Sequence, residues 1–291
     1  GAVLKLVHYQ NLENFQETVT PFLVQHEAEN NLLLGVLANL IGGEYQDHPP
    51  YLAAVHSRAG IELVVMRTPP FPVLLSYRDA PPGQDLVSLV NTDLMRSYGK
   101  ELSGMTGITS LVGEFVRRWK TRSGGKAELD MAMRIYRLDA VVPAEGIPGT
   151  LRPARSSDRA LIREWLAGFQ KEALQEEAVP ERLEQSVEAF LSADPELRGL
   201  TIWDVDGSPV SMAGYTGPTP HGIRVSYVYT PAALRRKGYA SACVAALSQQ
   251  LLDRGFDFCF LFTDLHNQTS NHIYQQIGYQ PVVDVDSYRF F

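Results

Sequence analysis

Apolar positions along the chain recur at two spacings, every three or four residues in some stretches and in short unbroken or alternating runs in others, which predicts an α/β protein. The pattern is plainest after residue 150. Leu151-Arg152-Pro153 reads as a short strand, and Ser157 is a residue type suited to cap a helix in which Leu161, Trp165 and Phe169 recur every four residues. A second helix is predicted from Glu181 to Ser192. Leu200 to Val205 and Val210 to Tyr215 predict two strands joined by Asp206-Gly207, a dipeptide that favours the tightest hairpins. Ile223 to Tyr229 predicts a third strand. Ala240, Cys243, Val244, Leu247 and Leu251 then predict a helix that Gly255 stops, followed by a buried strand at Phe256 to Phe262 and extended segments at Val282-Val283 and Tyr288 to Phe291. The expected order, with one more helix after the buried strand, is βααβββαβαββ.

The first half carries a fainter version of the same punctuation. Asn14 to Gln25 and Asn30 to Ile41 pattern as helices, and Leu52 to His56, Ile61 to Arg67 and Val73 to Tyr77 as strands. Met105 to Trp119 leads into a helix, and Met131 to Leu138 is a strand. Between the halves, Val142 to Gly149 concentrates two Pro and two Gly, which predicts domains at 1–142 and 149–291.

Composition narrows the function classes. The chain has 291 residues, 45% of them hydrophobic, and no apolar run approaches the roughly 20 residues that cross a bilayer, so no membrane role is expected. The opening Gly1-Ala2-Val3 has no basic n-region, and no signal peptide is expected. Two cysteines, Cys243 and Cys259, fall inside predicted elements and read as core thiols of a reducing, cytoplasmic compartment, without a metal or disulfide framework. A formal net charge of −7 argues against a nucleic-acid partner. One stretch is strongly acidic: Glu172, Glu176, Glu177, Glu181, Glu184, Glu188, Asp194 and Glu196. It reads first as the solvated face of two helices and second as a rim that attracts a cationic amine.

Chemistry concentrates at Val228-Tyr229-Thr230-Pro231 and the turn Arg235-Arg236-Lys237-Gly238-Tyr239-Ala240, which opens directly onto a predicted helix. The first N–H groups of a helix lack intrahelical acceptors and sit at the positive end of its dipole. Gly238 lets a ligand approach the backbone, and three cations precede it, so a ligand with several phosphates is expected. The chain contains no G-x-G-x-x-G, G-x-x-x-x-G-K-[ST], H-E-x-x-H or G-x-S-x-G pattern. Ser97 and Lys100 have S-x-x-K spacing without its companion motifs.

Arg235-x-x-Gly238-x-Ala240 resembles the Q/R-x-x-G-x-G/A pyrophosphate loop of the GNAT superfamily of acyl-CoA-dependent N-acyltransferases. A later segment, Asn267-x-x-Ser270-x-x-Ile273-Tyr274-x-x-x-Gly278-Tyr279, resembles that family's N-x-x-S/A-x-x-I/L-Y-x-x-x-G-F/Y motif. The resemblance covers about residues 149–291 and implies a GNAT-like mixed central sheet with flanking helices, preceded by a second α/β domain. That first domain resembles a degenerate GNAT half, without an R-x-x-G-x-A loop; an unrelated α/β domain that completes a substrate cleft or a homodimer interface is the competing reading. The resemblance further implies acetyl-CoA as acyl donor and no metal. Arg235, Arg236, Lys237, Gly238, Tyr239 and Ala240 would hold the pyrophosphate. Val228 or a neighbour in Val228-Tyr229-Thr230 would meet the thioester carbonyl with a backbone N–H, Asn267 and Asn271 would face the cofactor, and Tyr274 would be the general acid that protonates the CoA thiolate. Tyr274 also reads as a core aromatic, because Ile273, Tyr274 and Ile277 share an apolar face. Some members carry a Glu eleven residues before the loop's first Q/R; that position is Arg224 here. His221, Ser226, Asp264 and His266 are nearby proton acceptors, and none is assigned as base. The expected function is N-acetyl transfer to a primary amine of a small molecule, with a non-catalytic acyl-CoA-binding regulatory module as the alternative and a different nucleotide-binding α/β protein third.

Overall fold

Both halves of the chain write the same succession of elements. A computed structural model describes residues 3–45 and 47–291. The first half runs β1 (Lys5–His8), α1 (Leu12–Leu23), α2 (Asn31–Ile41), β2 (Tyr51–Ser57), β3 (Gly60–Arg67), β4 (Val73–Leu75), α3 (Gln84–Tyr98), β5 (Gly104–Ile108), α4 (Thr109–Ser123) and β6 (Ala127–Leu138). The second runs β7 (Thr150–Pro153), α5 (Arg159–Ala173), α6 (Pro180–Leu191), β8 (Gly199–Val205), β9 (Ser208–Thr216), β10 (Gly222–Tyr229), α7 (Tyr239–Asp253), β11 (Phe258–Asp264), α8 (Gln268–Gln276) and β12 (Gln280–Phe290). Pairing repeats as well. The first four strands of each half form an antiparallel meander, and the fourth pairs in parallel with the fifth.

The chain divides into two compact units, residues 1–135 with 282–291 and residues 136–281. The expected boundary at 142–149 thus lies inside the second unit, and the last ten residues group with the first. Two expected terminal segments are one strand, β12, whose Val285 to Arg289 pair antiparallel with Ile108 to Gly104 of β5. In the first unit Phe15, Val19 and Leu23 of α1 and Leu33, Leu34 and Leu37 of α2 bury against Leu52, Ala54, Val64 and Met66. Sequence patterning overlooked β1 and α3 there, although Leu86, Val87, Val90 and Leu94 of α3 form a buried stripe at helical spacing.

In the second unit the sheet is covered on both faces, so its strands read as nearly unbroken apolar runs. Ala242, Cys243, Val244, Leu247 and Leu251 of α7 pack on one face with Ile223, Val225, Cys259 and Leu261. Ile162, Trp165 and Leu166 of α5 and Leu183, Val187 and Phe190 of α6 pack on the other with Leu200 and Met212. Both cysteines are fully buried and unbridged, and burial pushes each thiol up to about 12. Asp206 and Gly207 both take positive φ, 51° and 80°, as the β8–β9 hairpin requires.

The start of α5 differs from expectation. A single tight turn, residues 156–158, precedes it, and the group that organises the turn is Asp158 and not Ser157. The Asp158 carboxylate accepts the Arg155 N–H at 2.7 Å and a two-pronged contact from Arg152 at 2.7 and 2.8 Å, while Arg152 Nε reaches Asp204 at 2.5 Å. Arg152 thereby ties β7 to β8 and to α5, and holds the Asp158 carboxyl below its ordinary range. Arg152→Ala leaves two mostly buried carboxylates facing one another and is expected to lower unfolding stability by about 2 kcal/mol near pH 7. Because the folded pKa of Asp158 is depressed, its contribution is full above the unfolded value of about 3.9 and is lost as pH falls through the folded one. Chemical denaturation of both proteins should show the gap closing below about pH 4; a gap independent of pH would assign the effect to packing.

Candidate acyl-CoA site

Strand β10 carries a defect at its centre. Ser226 pairs with Gly214 of β9, but the next pair is Tyr229 with Met212, so β10 holds one residue more than its neighbour. Tyr227 sits at the bulge with φ of 55°, and its ring is anchored 5.4 Å from Phe169 and 5.0 Å from Phe190. On its other side β10 pairs with β11 through Gly222, Ile223 and Arg224 only. Beyond Arg224 the two parallel strands no longer share a ladder. Ligands in α/β sheets settle where parallel neighbours part at their carboxyl ends, and the phosphate-loop candidate follows at this end.

The loop is pre-shaped. Thr230, which is buried, shares a hydroxyl contact of 2.8 Å with Ser211. A tight turn over residues 232–234 is closed by the Leu234 N–H on the Pro231 carbonyl at 2.9 Å. Arg236 and Gly238 take left-handed φ values of 66° and 83°, and Gly238 is the N-cap of α7. Among the described residues, the N–H groups of Arg236, Lys237, Gly238, Tyr239, Ala240 and Ser241 have no acceptor, and the first backbone bond into the helix is Ala242 to Gly238 at 3.0 Å. Six consecutive open donors at the positive end of a helix form an anion-binding concavity. Arg236 and Lys237 are exposed and take part in no ion pair among the described residues, so their charge is uncompensated. Arg235 is placed differently from expectation: its Nε donates to the Thr230 carbonyl at 2.8 Å and its Nη2 to Glu172. Sequence reasoning overlooked Glu172 in this role, because nothing in the order of residues links position 172 to 235.

Tyr274 lies on α8 against α7. It is 9% exposed, packs in the α7 core cluster with its ring 6.1 Å from Tyr279, and its hydroxyl has no hydrogen-bond partner among the described residues. Burial, and secondarily the neighbouring Cys243 of α7, raises its phenol well above the ordinary tyrosine range. Such a group keeps its proton at every ordinary pH. Both sequence readings of Tyr274, core aromatic and proton donor, are compatible with this setting.

Both asparagine side chains are engaged by the protein itself. Asn267 caps α8, its side-chain oxygen accepting the Ser270 N–H at 3.1 Å. Asn271 accepts from the Tyr136 hydroxyl at 3.1 Å and the Thr263 hydroxyl at 2.5 Å. Their side chains shape the α8 entry and hold it to β11. Among the nearby proton acceptors, Asp264 receives the His266 N–H at 2.9 Å, His221 is exposed on the turn before β10, and the Ser226 hydroxyl is buried without a partner. No carboxylate stands on β10.

The acidic stretch is partly neutralised. Glu184 pairs with Arg163 and Glu188 with Arg159, and Glu172 with Arg235, while Glu176, Glu177 and Glu181 take part in no ion pair among the described residues. No group of His, Cys, Asp or Glu that could hold a metal occurs among the described residues. No helix there is long and apolar enough to cross a membrane.

Comparison with known proteins agrees with this geometry. No curated protein matches the sequence. Among solved structures, a GCN5-related N-acetyltransferase from Sphaerobacter thermophilus superposes with a TM-score of 0.62 at 14% identity, covering 98% of this chain and 95% of that one. A Drosophila protein gives 0.62 at 12% identity over 100% and 99%, and a GNAT-family acetyltransferase from Colwellia psychrerythraea 0.58 at 10% over 99% and 100%. At these identities the likeness is one of fold. The family model described as "Acetyltransferase (GNAT) family" matches residues 159–279, a span that takes in the β10 bulge, the phosphate-loop candidate and α8. This segment is a domain of the acetyltransferase (GNAT) family.

Proposed function

We propose that the chain is an N-acetyltransferase that moves the acetyl group of acetyl-CoA to a primary amine of a small molecule, in the cytoplasm, with its chemistry confined to the second unit. The observation that carries this reading is the run of six N–H donors from Arg236 to Ser241, open among the described residues, beside two cations that take part in no ion pair there. That donor set suits a pyrophosphate, whose several anionic oxygens can each take an N–H. Val228 lies in the β10 bulge and Tyr229 just beyond it, where a thioester would lie against backbone unengaged by β11. Tyr274 is a fixed, protonated phenol on the next helix, suited to deliver a proton to a departing thiolate. With no carboxylate on β10, the amine would arrive neutral or lose its proton to water. Glu176, Glu177 and Glu181 would raise the local concentration of a cationic acceptor.

A non-catalytic acyl-CoA-binding module would keep the loop and lack turnover. Thiol release from acetyl-CoA against a panel of primary amines distinguishes the two: saturable, amine-dependent CoA release supports the enzyme, and tight acetyl-CoA binding with no release for any amine supports the module.

The first unit repeats the fold with a different lead into the corresponding helix, α3. Between β4 and α3, Pro81 and Pro82 have no N–H, the Tyr77 N–H is taken by Asn30 at 2.8 Å, and Arg78 is held by Glu62 at 2.8 Å. We read this unit as a degenerate GNAT-like half, so one acetyl-CoA per chain is expected in native mass spectrometry. Two per chain would make the protein a tandem enzyme.

A further inference from the structure

Arg235 begins the phosphate loop, yet its side chain faces two elements of the scaffold. Nε reaches back to the carbonyl of Thr230 at the end of β10, 2.8 Å away, and Nη2 reaches Glu172 Oε2 on α5 at 2.5 Å. The guanidinium is a rigid planar fork, so two bonds to two different elements fix both its position and its tilt. Glu172 lies in the last turn of α5, where a carboxylate opposes the helix dipole, and pairing with Arg235 offsets that cost. α5 is a firm anchor at this point. One turn earlier, a Cβ on Gly168 would come within 2.4 Å of the Tyr229 hydroxyl, so the helix and the end of β10 are in close contact.

The loop needs such an anchor. From Thr230 to Gly238 its backbone donates only two hydrogen bonds among the described residues, Leu234 to Pro231 at 2.9 Å and Arg235 to Ala232 at 3.4 Å. The open donors that follow converge only while Arg236 and Gly238 hold their left-handed conformations. We propose that Glu172 is a positioning residue for the acyl-CoA loop: it acts through Arg235 to hold the six donors in their binding arrangement before the cofactor arrives. This rests on the loop being the acyl-CoA site. Arg235 then contributes shape, and Arg236 and Lys237 supply the free charge.

An electrostatic competitor makes the opposite prediction. If Glu172 merely opposed the phosphates or occupied Arg235 in their place, removing its charge would tighten binding. Two variants separate the ideas. Glu172→Ala deletes the acceptor, whereas Glu172→Gln keeps an oxygen that Arg235 Nη2 can still use. Calorimetry with acetyl-CoA on the full chain should show Glu172→Ala weaker by about two- to five-fold, the usual worth of a partly exposed ion pair, and Glu172→Gln within about two-fold of wild type. Hydrogen exchange at residues 230–239 of the free protein should quicken in the alanine variant and stay near wild type in the glutamine one. With an acceptor in hand, the alanine variant should raise KM for acetyl-CoA and leave kcat nearly unchanged. Unchanged or tighter binding by Glu172→Ala, with wild type binding normally, overturns the positioning role alone. A wild type that does not bind acetyl-CoA overturns the loop reading and this inference together.

Discussion

Gly238→Glu should lower acetyl-CoA affinity by about 100-fold while leaving the fold intact. Two effects add. Gly238 caps α7 at φ of 83°, a conformation that costs an L-residue about 1–2 kcal/mol, and the strain would be relieved by turning the very N–H groups that face the ligand. A carboxylate at this point replaces the favourable helix-start field with like charge against the phosphates, a reversal worth about 1–2 kcal/mol. The nearest atom to a Cβ here, Ile147 Cδ1 at 2.5 Å, is the end of a flexible side chain and can move aside, so the loss belongs to the backbone and the charge and not to a core clash. Gly238→Ala isolates the backbone part and should lose about ten-fold. Calorimetry at one fixed salt concentration reads both, alongside thermal melting to verify the fold. Unchanged affinity in the glutamate variant would end the assignment of this loop.

The parts of this site that lay open in the sequence are those whose chemistry is local. Gly238 before an apolar three-four repeat announces both a backbone open to close approach and a helix start, because those signals are neighbours in the chain. Asp206-Gly207 fixed the hairpin for the same reason. What the sequence concealed is tertiary. Arg235 reads as a phosphate ligand, and its contact with Glu172, 63 positions earlier, has no mark in the local sequence. Asn267 and Asn271 fit a motif by spacing, yet their amides cap α8 and bridge to Tyr136 and Thr263, partners visible only once β6, β11 and α8 are folded. The β10 bulge has no local marker at all: Tyr227 at positive φ is a residue type that rarely takes that conformation.

Fold-level errors have a similar origin. Val142 to Gly149 is rich in Pro and Gly and reads as a linker, but Val142 donates its N–H to Ile277, Ile147 packs in the α7 core cluster and Pro148 accepts from Trp203. Turn residues mark a change of direction, and the division of the chain into units follows contacts instead. β12 illustrates this: it directly follows α8 in the chain, and one strand it pairs with is β5, some 180 residues earlier. Helix α3 was missed for a different reason. Asn91 and Asp93 are buried on it among the aliphatic positions and blur the apolar stripe, and Asn91 is accommodated by donating to the Phe115 carbonyl at 3.0 Å.

Tyr274→Phe should reduce turnover by about 100-fold with little change in acetyl-CoA affinity. The substitution keeps the ring, which is buried in the α7 cluster beside Tyr279, and removes only a hydroxyl that has no protein partner among the described residues. The fold should tolerate it, since no buried group loses its hydrogen bond. In the proposed reaction the amine nitrogen bonds to the acetyl carbon, the carbon–sulfur bond breaks, the thiolate takes the phenol proton, and the proton lost by the amine restores the phenol through water. General acid catalysis is typically worth about 10²–10⁴-fold, and a thiolate leaves acceptably without help, which places the loss near the lower bound. The pH dependence follows from the direction of the phenol's shift. Because burial raises it, the proton donor is present throughout the neutral and moderately alkaline range. The wild-type rate should therefore rise with pH as the acceptor amine loses its proton and should show no alkaline decline from Tyr274, while the variant keeps the same profile at a lower level. Single-turnover kinetics, where acetyl transfer itself sets the rate, give the decisive reading: wild-type turnover with intact binding would leave Tyr274 as a packing residue and assign the chemistry to backbone positioning alone.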